Sequence, residues 1–286
     1  MRILFDTFAR RLIFISAIVC SLSIILLGGF ILSEGLPLFK DVSLVQFLFS
    51  THWGPTDAVP TYGILTFFFN TAVVTLLSLV LALPISLCTA IYLALFAKGA
   101  LANLIRTSVE LLASIPSIIF GLVGMVTVVP LIRSLFGGSG YSLLACAIIL
   151  SVMILPTIIS VSEVAIRAVS EDLKWASLAM GATTFQMIRT ALLPAARSGL
   201  VTAMVMGLGR AMGETTAVLL VGGNSPLFPG SLADQGRTLT MNIVTDMSYA
   251  EGVHLNALFA TSIVLFICVL ALNLLVMRIG KEAHHG

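Results

Sequence analysis

Arg210 and Glu214 are the residues of this chain whose types and surroundings point most directly to chemistry. They stand in Ala203-Met-Val-Met-Gly-Leu-Gly-Arg-Ala-Met-Gly-Glu-Thr-Thr-Ala217, flanked on both sides by apolar and small residues. An arginine at a bilayer centre costs roughly 2.5–3.5 kcal/mol on insertion scales, so it faces a partner or a water-filled route rather than lipid. The spacing of four predicts that both charges share one helix face, about one turn apart. A guanidinium stays charged and offers a planar fork that matches tetrahedral oxyanions. Its alternative role is a structural ion pair with Glu214 that locks helices together. Glu214 also has two readings. It neutralises Arg210, or it accepts a hydrogen bond from a protonated oxyanion. Thr215 and Thr216 are candidate lining residues, although hydroxyls in membrane helices also bond back to their own backbone. Gly207, Gly209 and Gly213 read first as residues that let helices approach closely.

These residues need a scaffold, and composition says which kind. Of 286 residues, 58% are hydrophobic and only 10% charged, against about 25% charged in a soluble domain. The chain reads as an all-α polytopic membrane protein of six transmembrane helices. The expected spans are about 12–33, 65–97, 111–132, 142–162, 198–222 and 255–277, each near or above the roughly 20 residues a bilayer requires. The second is too long for one straight span, which predicts tilt, an interfacial extension or a bend at Pro84. Ser114 and Ser117 flank Pro116 and are candidates to line a broken helix; Glu110 reads as interfacial. Arg10 and Arg11 precede an apolar run too long for a signal peptide and without a cleavage pattern, so the first helix is expected to be retained. Cys20, Cys88, Cys146 and Cys268 each lie alone in a span and read as small packing residues.

Basic residues other than Arg210 divide unevenly between the two sides. Arg2, Arg10, Arg11, Lys98, Arg106, Arg167, Lys174, Arg189, Arg197, Arg278 and Lys281 fall on one, and Lys40, Arg133 and Arg237 on the other. The positive-inside rule therefore predicts both termini in the cytoplasm. The outer segment 34–63 holds Leu44–Phe49 and Trp53, expected at the membrane interface. The outer segment 223–254 carries turn residues, then a possible short helix from Thr238 to Met247.

The inner segment 163–197 has the clearest local code. Ser170 followed by Glu171 and Asp172 predicts an N-cap with acids in the first turn. Gly181 permits a sharp break, and Thr183 with Gln186 makes a capping box for a second short helix. Pro194 stops that helix or begins the next span. Two short helices meeting at a glycine form a compact projecting element, or else simply connect the spans. Trp175-Ala176-Ser177, Gly181 and Ala191-Leu192-Leu193-Pro194 fall at the spacings of the EAA loop of ABC-importer permeases, which this segment resembles. Trp175 stands where that pattern has its leading acid, Ser177 replaces the second alanine and Ala191 the isoleucine.

The wider sequence resembles the permease subunits of the phosphate-specific Pst importer. Glu110-Leu-Leu-Ala-Ser-Ile-Pro-Ser-Ile-Ile-Phe-Gly121, Met180-Gly-Ala-Thr183, Leu193-Pro-Ala-Ala-Arg-Ser-Gly199 and Gly207-Leu-Gly-Arg-Ala-Met-Gly-Glu-Thr-Thr-Ala-Val218 carry the likeness. Of the two subunit types, PstC is nearer, on Gly209–Val218 with Gly222-Gly-Asn224. The resemblance implies a MetI-like ABC-importer permease fold and one transmembrane domain over 1–286, forming half of an anion pathway in a bacterial inner membrane. It implies Arg210, Glu214, Thr215 and Thr216 along that pathway. Trp175, Ala176, Gly181, Ala182, Leu193 and Pro194 would then couple to an ATPase. The implied partners are a second, PstA-like permease, a cytoplasmic PstB-like ATPase dimer, an external PstS-like phosphate-binding protein, inorganic phosphate and membrane lipid.

Other classes fit less well. A permease for sulfate or molybdate is the nearest alternative. A secondary transporter or channel needs no docking element, and a non-transporting scaffold or sensor leaves Arg210 and Glu214 without a role. No G-x-x-x-x-G-K-[ST] run occurs, so the chain cannot bind ATP through a P-loop, and Gly137-Gly-Ser-Gly140 is a turn. His52, His254, His284 and His285 lack ligand spacing, and no cofactor or metal is expected. A net charge of +2 gives no reason to expect nucleic acid. The chain is expected to be a non-catalytic subunit whose partners hydrolyse ATP.

Overall fold

A bilayer offers no partner for backbone N–H and C=O groups, so a chain this apolar satisfies them within helices. The structure, a computed structural model, describes the backbone of residues 2–282 and the side chains of residues 10–274. Helix α1 (Arg2–Gly35) continues into a 3-10 turn, Leu36–Lys40. Short α2 (Leu44–Phe49) and a two-stranded hairpin follow, with β1 (Trp53–Gly54) antiparallel to β2 (Thr61–Tyr62). Helix α3 (Leu65–Ile91) runs through Pro84, and the π-helical turn Tyr92–Phe96 extends it. Then come α4 (Gly99–Ser114), α5 (Ser117–Phe136) and α6 (Leu143–Arg167).

The next elements are short. Helices α7 (Glu171–Ala179) and α8 (Thr184–Met187) precede a π-helical turn, Ile188–Leu192, and α9 (Leu193–Ala195). Helices α10 (Arg197–Gly213), α11 (Thr216–Gly222), α12 (Leu239–Asp246) and α13 (Val253–Glu282) complete the order. Among the described residues, five helical stretches are long and apolar enough to cross a membrane: Arg10–Lys40, Leu65–Phe96, Ser117–Phe136, Leu143–Arg167 and Val253–Leu274. The bent pair Thr184–Ala195 with Arg197–Gly213, angled by 73°, passes the same test only if the two are taken together as one span.

Helix α6 is the axis of the bundle. Its Leu150, Ile154 and Ile158 share one core with Val74 and Ala82 of α3, Phe120 of α5, Ala203 and Ala211 of α10, and Val218 of α11. Small residues set the spacing. A Cβ on Gly207 would lie 2.8 Å from Ile158 Cγ1, and one on Gly124 2.7 Å from Ile149. At the periphery, the apolar stretch of α1 buries none of its residues against its own chain. Cys146 is buried in the core, whereas Cys20 and Cys88 lie on exposed faces.

Two expected spans are interrupted. The third breaks at Ile115, whose extended backbone (ψ 126°) precedes Pro116, because a residue before proline is driven out of the helical region. Its apolar body is α5, with Glu110 and Ser114 left on α4. The fifth breaks at Glu214, which is also extended (φ −74°, ψ 131°). Arg210 and Glu214 therefore do not share a continuous helix face. Trp53, expected at the interface, is buried instead (7% exposed), with Nε1 2.9 Å from Asp246 Oδ2.

Candidate functional site

The segment between α6 and α10 folds as its local code dictates. Ser170 Oγ accepts from Leu173 N at 3.3 Å. Thr183 and Gln186 form both bonds of the capping box, at 2.8 and 3.3 Å. Gly181 takes φ +85° with open space where a Cβ would stand, the left-handed backbone that ends a helix sharply. Buried Met187, Leu192, Ala196 and Leu200 fix the base of this knob against Ala90 of α3 and Ile166 of α6. Its outer surface leaves three large apolar side chains uncovered among polar ones: Trp175 is 65% exposed, Phe185 69% and Met180 89%. Ala176 and Pro194 are also exposed, and Ala182 and Leu193 half-buried. The residues expected to couple to an ATPase thus gather on one segment, which is joined to α10 through the bend at Ala196.

Helix α10 then carries the chain about 24 Å at 1.5 Å per residue to the break that holds the charged pair. Ala203, Gly207 and Ala211 face the core. Met206, Gly209, Arg210 and Gly213 follow the i, i+3, i+4, i+7 spacing of the opposite face. That face is open: Met206 is 52% exposed, and nothing lies within 4 Å of a Cβ on Gly209 or Gly213. Within this chain, close approach of helices accounts for Gly207, and Gly209 and Gly213 meet no neighbour.

No ion pair joins Arg210 to Glu214 among the described residues. Arg210 Nη1 donates to Thr157 Oγ1 on α6 at 3.0 Å, and its remaining donors meet no protein acceptor there. Glu214 Oε1 accepts from Ala217 N at 3.1 Å, so the carboxylate lies at the start of α11. Each charge is placed where a helix dipole favours it, the cation in the last turn of α10 and the anion before the first turn of α11. The guanidinium keeps its charge and four of its five donors beside an open face. Thr215 Oγ1 turns back to Gly213 O at 3.5 Å, and Thr216 is exposed at the first position of α11.

Behind Glu214 lies a small cavity of about 10 Å³, lined by Thr71, Thr75, Glu214, Thr238 and Thr240 among others. It has room for about one water. A larger groove of about 340 Å³, between α3, α10 and α13, includes Phe68, Leu76, Leu208, Met212 and Leu272 and no charged group. That lining suits a lipid tail and not an anion.

Two further polar clusters are absent from the sequence expectations. Asp246, 1% exposed, accepts from Trp53 Nε1 and, at 3.1 Å, from Arg237 Nη1. His254 Nε2 is 3.4 Å from the same carboxylate, and the Arg237 guanidinium sits 5.8 Å from the Phe67 ring centroid. At the knob end, Glu163 Oε1 accepts from Arg106 Nη2 and Arg167 Nε, both at 2.9 Å. Arg167 Nη2 also reaches Leu93 O at 2.6 Å, within the π-helical turn after α3. An acid closing an otherwise uncharged short helix was the available signal for Asp246. Thr157 offered only its place after an intramembrane proline, Pro156.

Residues 86–281 match the family described as binding-protein-dependent transport system inner membrane component. The chain is 39% identical over 248 residues to the "Probable ABC transporter permease protein YqgH" of Bacillus subtilis, covering 86% of this chain and 80% of that one. It is 34% identical over 262 residues to the phosphate transport system permease protein PstC of Xylella fastidiosa, at 83% and 80% coverage. Among solved structures, an inward-facing methionine ABC transporter, MetNI, superposes with TM-score 0.59 and 25% identity over 75% of this chain and 93% of its own. Fold, sequence and the geometry of knob and broken helix agree: the chain belongs to the binding-protein-dependent transport system inner membrane component family, as a non-catalytic, multi-pass permease subunit of an ABC transporter.

Proposed function

We propose that this permease forms half of the pathway of an ATP-driven phosphate importer, and that Arg210 meets the anion. One observation carries the reading: Arg210 lies on the open face of α10, held by a neutral hydroxyl and not by a carboxylate. A guanidinium left charged and short of acceptors is a ready partner for a tetrahedral oxyanion. Phosphate as cargo is supported by relatives described as phosphate transport system permeases, at 32–34% identity across most of the chain. Near neutral pH phosphate carries a proton and sulfate carries none. A carboxylate at Glu214 can accept that proton's hydrogen bond and only repels the other anion.

The rest of the machine follows from the same reading. The chain acts as one permease domain, pairing with a PstA-like permease across a pseudo-twofold axis. Trp175, Ala176, Gly181, Ala182, Leu193 and Pro194 seat in a PstB-like ATPase dimer, and the exposed Trp175, Met180 and Phe185 supply the apolar contact. Both termini lie in the cytoplasm of a bacterial cell, on the basic-rich side, and a PstS-like phosphate-binding protein docks opposite. Closure of the ATPases would rock the permeases between inward and outward access. The test is reconstitution with these partners in proteoliposomes, following labelled phosphate uptake against ATP hydrolysis. Uptake of sulfate or molybdate in place of phosphate would support the rival cargo. Uptake without the ATPase would remove the ABC mechanism.

A further inference from the structure

The break after α10 leaves the carbonyl of Glu214, a half-buried residue, outside any helix and in need of a donor. Thr240 Oγ1 supplies it from α12 at 2.9 Å. The carbonyl can only accept, so the single Thr240 proton is committed to it. Thr238 Oγ1, 3.0 Å from Thr240 Oγ1, must then be the donor within that pair. Thr238 in turn accepts from Met241 N at 3.3 Å. One directed chain therefore runs from a backbone N–H at the start of α12, through two hydroxyls, to the Glu214 peptide. Each link polarises the next.

Helix α12 is a firm mount for this chain. Leu239 N donates to Thr71 Oγ1 of α3 at 3.0 Å. Asp246, at the other end of α12, is held by Trp53 and Arg237. Thr238 and Thr240 are 4% and 6% exposed, so the hydroxyls have no bulk water to turn toward. The Glu214 peptide thus takes its direction from an element that begins 25 residues further along, and its carboxylate is aimed by that peptide.

We propose that Thr240 is a positioning residue of the anion pathway. It fixes the unwound Glu214 peptide, and so sets where the Glu214 carboxylate stands relative to Arg210. This rests on the reading of Glu214 as a pathway group. Thr240→Val keeps the shape and removes the hydroxyl; Thr240→Ser keeps the hydroxyl. Both are compared with Glu214→Gln in reconstituted complexes, at anion concentrations high enough to dispense with the binding protein. The readouts are complex assembly, phosphate uptake, and the phosphate-to-sulfate ratio at the permease step.

The expected result is that Thr240→Val assembles, loses about 10-fold in phosphate uptake and narrows the anion ratio in the direction of Glu214→Gln. Thr240→Ser should restore both, and Thr240→Val should add no further change of ratio to Glu214→Gln. If Glu214→Gln leaves the ratio unchanged, the pathway reading of Glu214 fails and this proposal falls with it. If Glu214→Gln shifts the ratio and assembled Thr240→Val does not, the positioning role alone is overturned. It is equally overturned if Thr240→Val fails to assemble while Thr240→Ser assembles, since the hydroxyl then serves the fold. Assembled complexes of Thr240→Val that transport neither anion, rescued by Thr240→Ser, would support the role.

Discussion

Arg210 donates to the hydroxyl of Thr157, at 3.0 Å, and forms no ion pair with Glu214 four residues along the chain. The helix break separates them and gives each charge a helix end of its own. A hydroxyl orients the guanidinium without cancelling its charge. Thr157→Val should therefore assemble, keep the charge and lose the aim. Phosphate uptake should fall about 10- to 100-fold, the range expected for loss of one hydrogen bond to a charged group, with the effect mainly in KM. Unchanged kinetics would mean that Thr157 does not orient Arg210.

The glycines of α10 separate packing from pathway. Gly207→Val should weaken the fold by about 1–3 kcal/mol through overpacking, because its Cβ would stand 2.8 Å from Ile158. Gly209→Ala meets open space and should leave thermal stability of the solubilised protein unchanged or raised. Yet it narrows the face beside Arg210, so transport should fall. Equal stability losses in the two variants would contradict this division.

Gly181 tests the knob by backbone strain and not by volume. Its Cβ position is open, but φ is +85°, a region that β-branched residues avoid and asparagine tolerates. Gly181→Val should insert into the membrane and lose ATPase association or coupled uptake, while Gly181→Asn should retain most of both. Normal ATP-coupled uptake by Gly181→Val would remove the docking assignment.

The Asp246 cluster is a stability element. Removing one partner of a buried ion pair leaves the other charge uncompensated, at about 3–5 kcal/mol. Asp246→Ala should thus lower the melting temperature of the solubilised protein sharply, and Asp246→Leu combined with Arg237→Met should recover much of the loss. No recovery in the double variant would show that the carboxylate matters for reasons beyond Arg237.

The apolar runs made most helices legible, and the knob was legible in detail because its code is local. Ser170, Thr183 with Gln186, and Gly181 act on neighbours within three residues. The break at Glu214 was not legible. Apolar residues continue on both sides of it, and the donor that holds the open peptide, Thr240, comes 26 residues later. Trp53 misled for the same reason, since its partner Asp246 is 193 residues away. Where a tertiary hydrogen bond decides a backbone conformation, hydropathy and spacing carry no trace of it.

Arg210 is proposed as the anion contact of an ATP-coupled phosphate pathway. The most direct measurement is labelled phosphate uptake in proteoliposomes holding the full complex, with and without ATP, for wild type, Arg210→Ala and Arg210→Lys. Wild type should take up phosphate only with ATP. Arg210→Ala should assemble and transport none, and Arg210→Lys should restore little, because lysine keeps the charge but lacks the planar fork. Wild-type uptake by an assembled Arg210→Ala complex would rule Arg210 out as the anion contact.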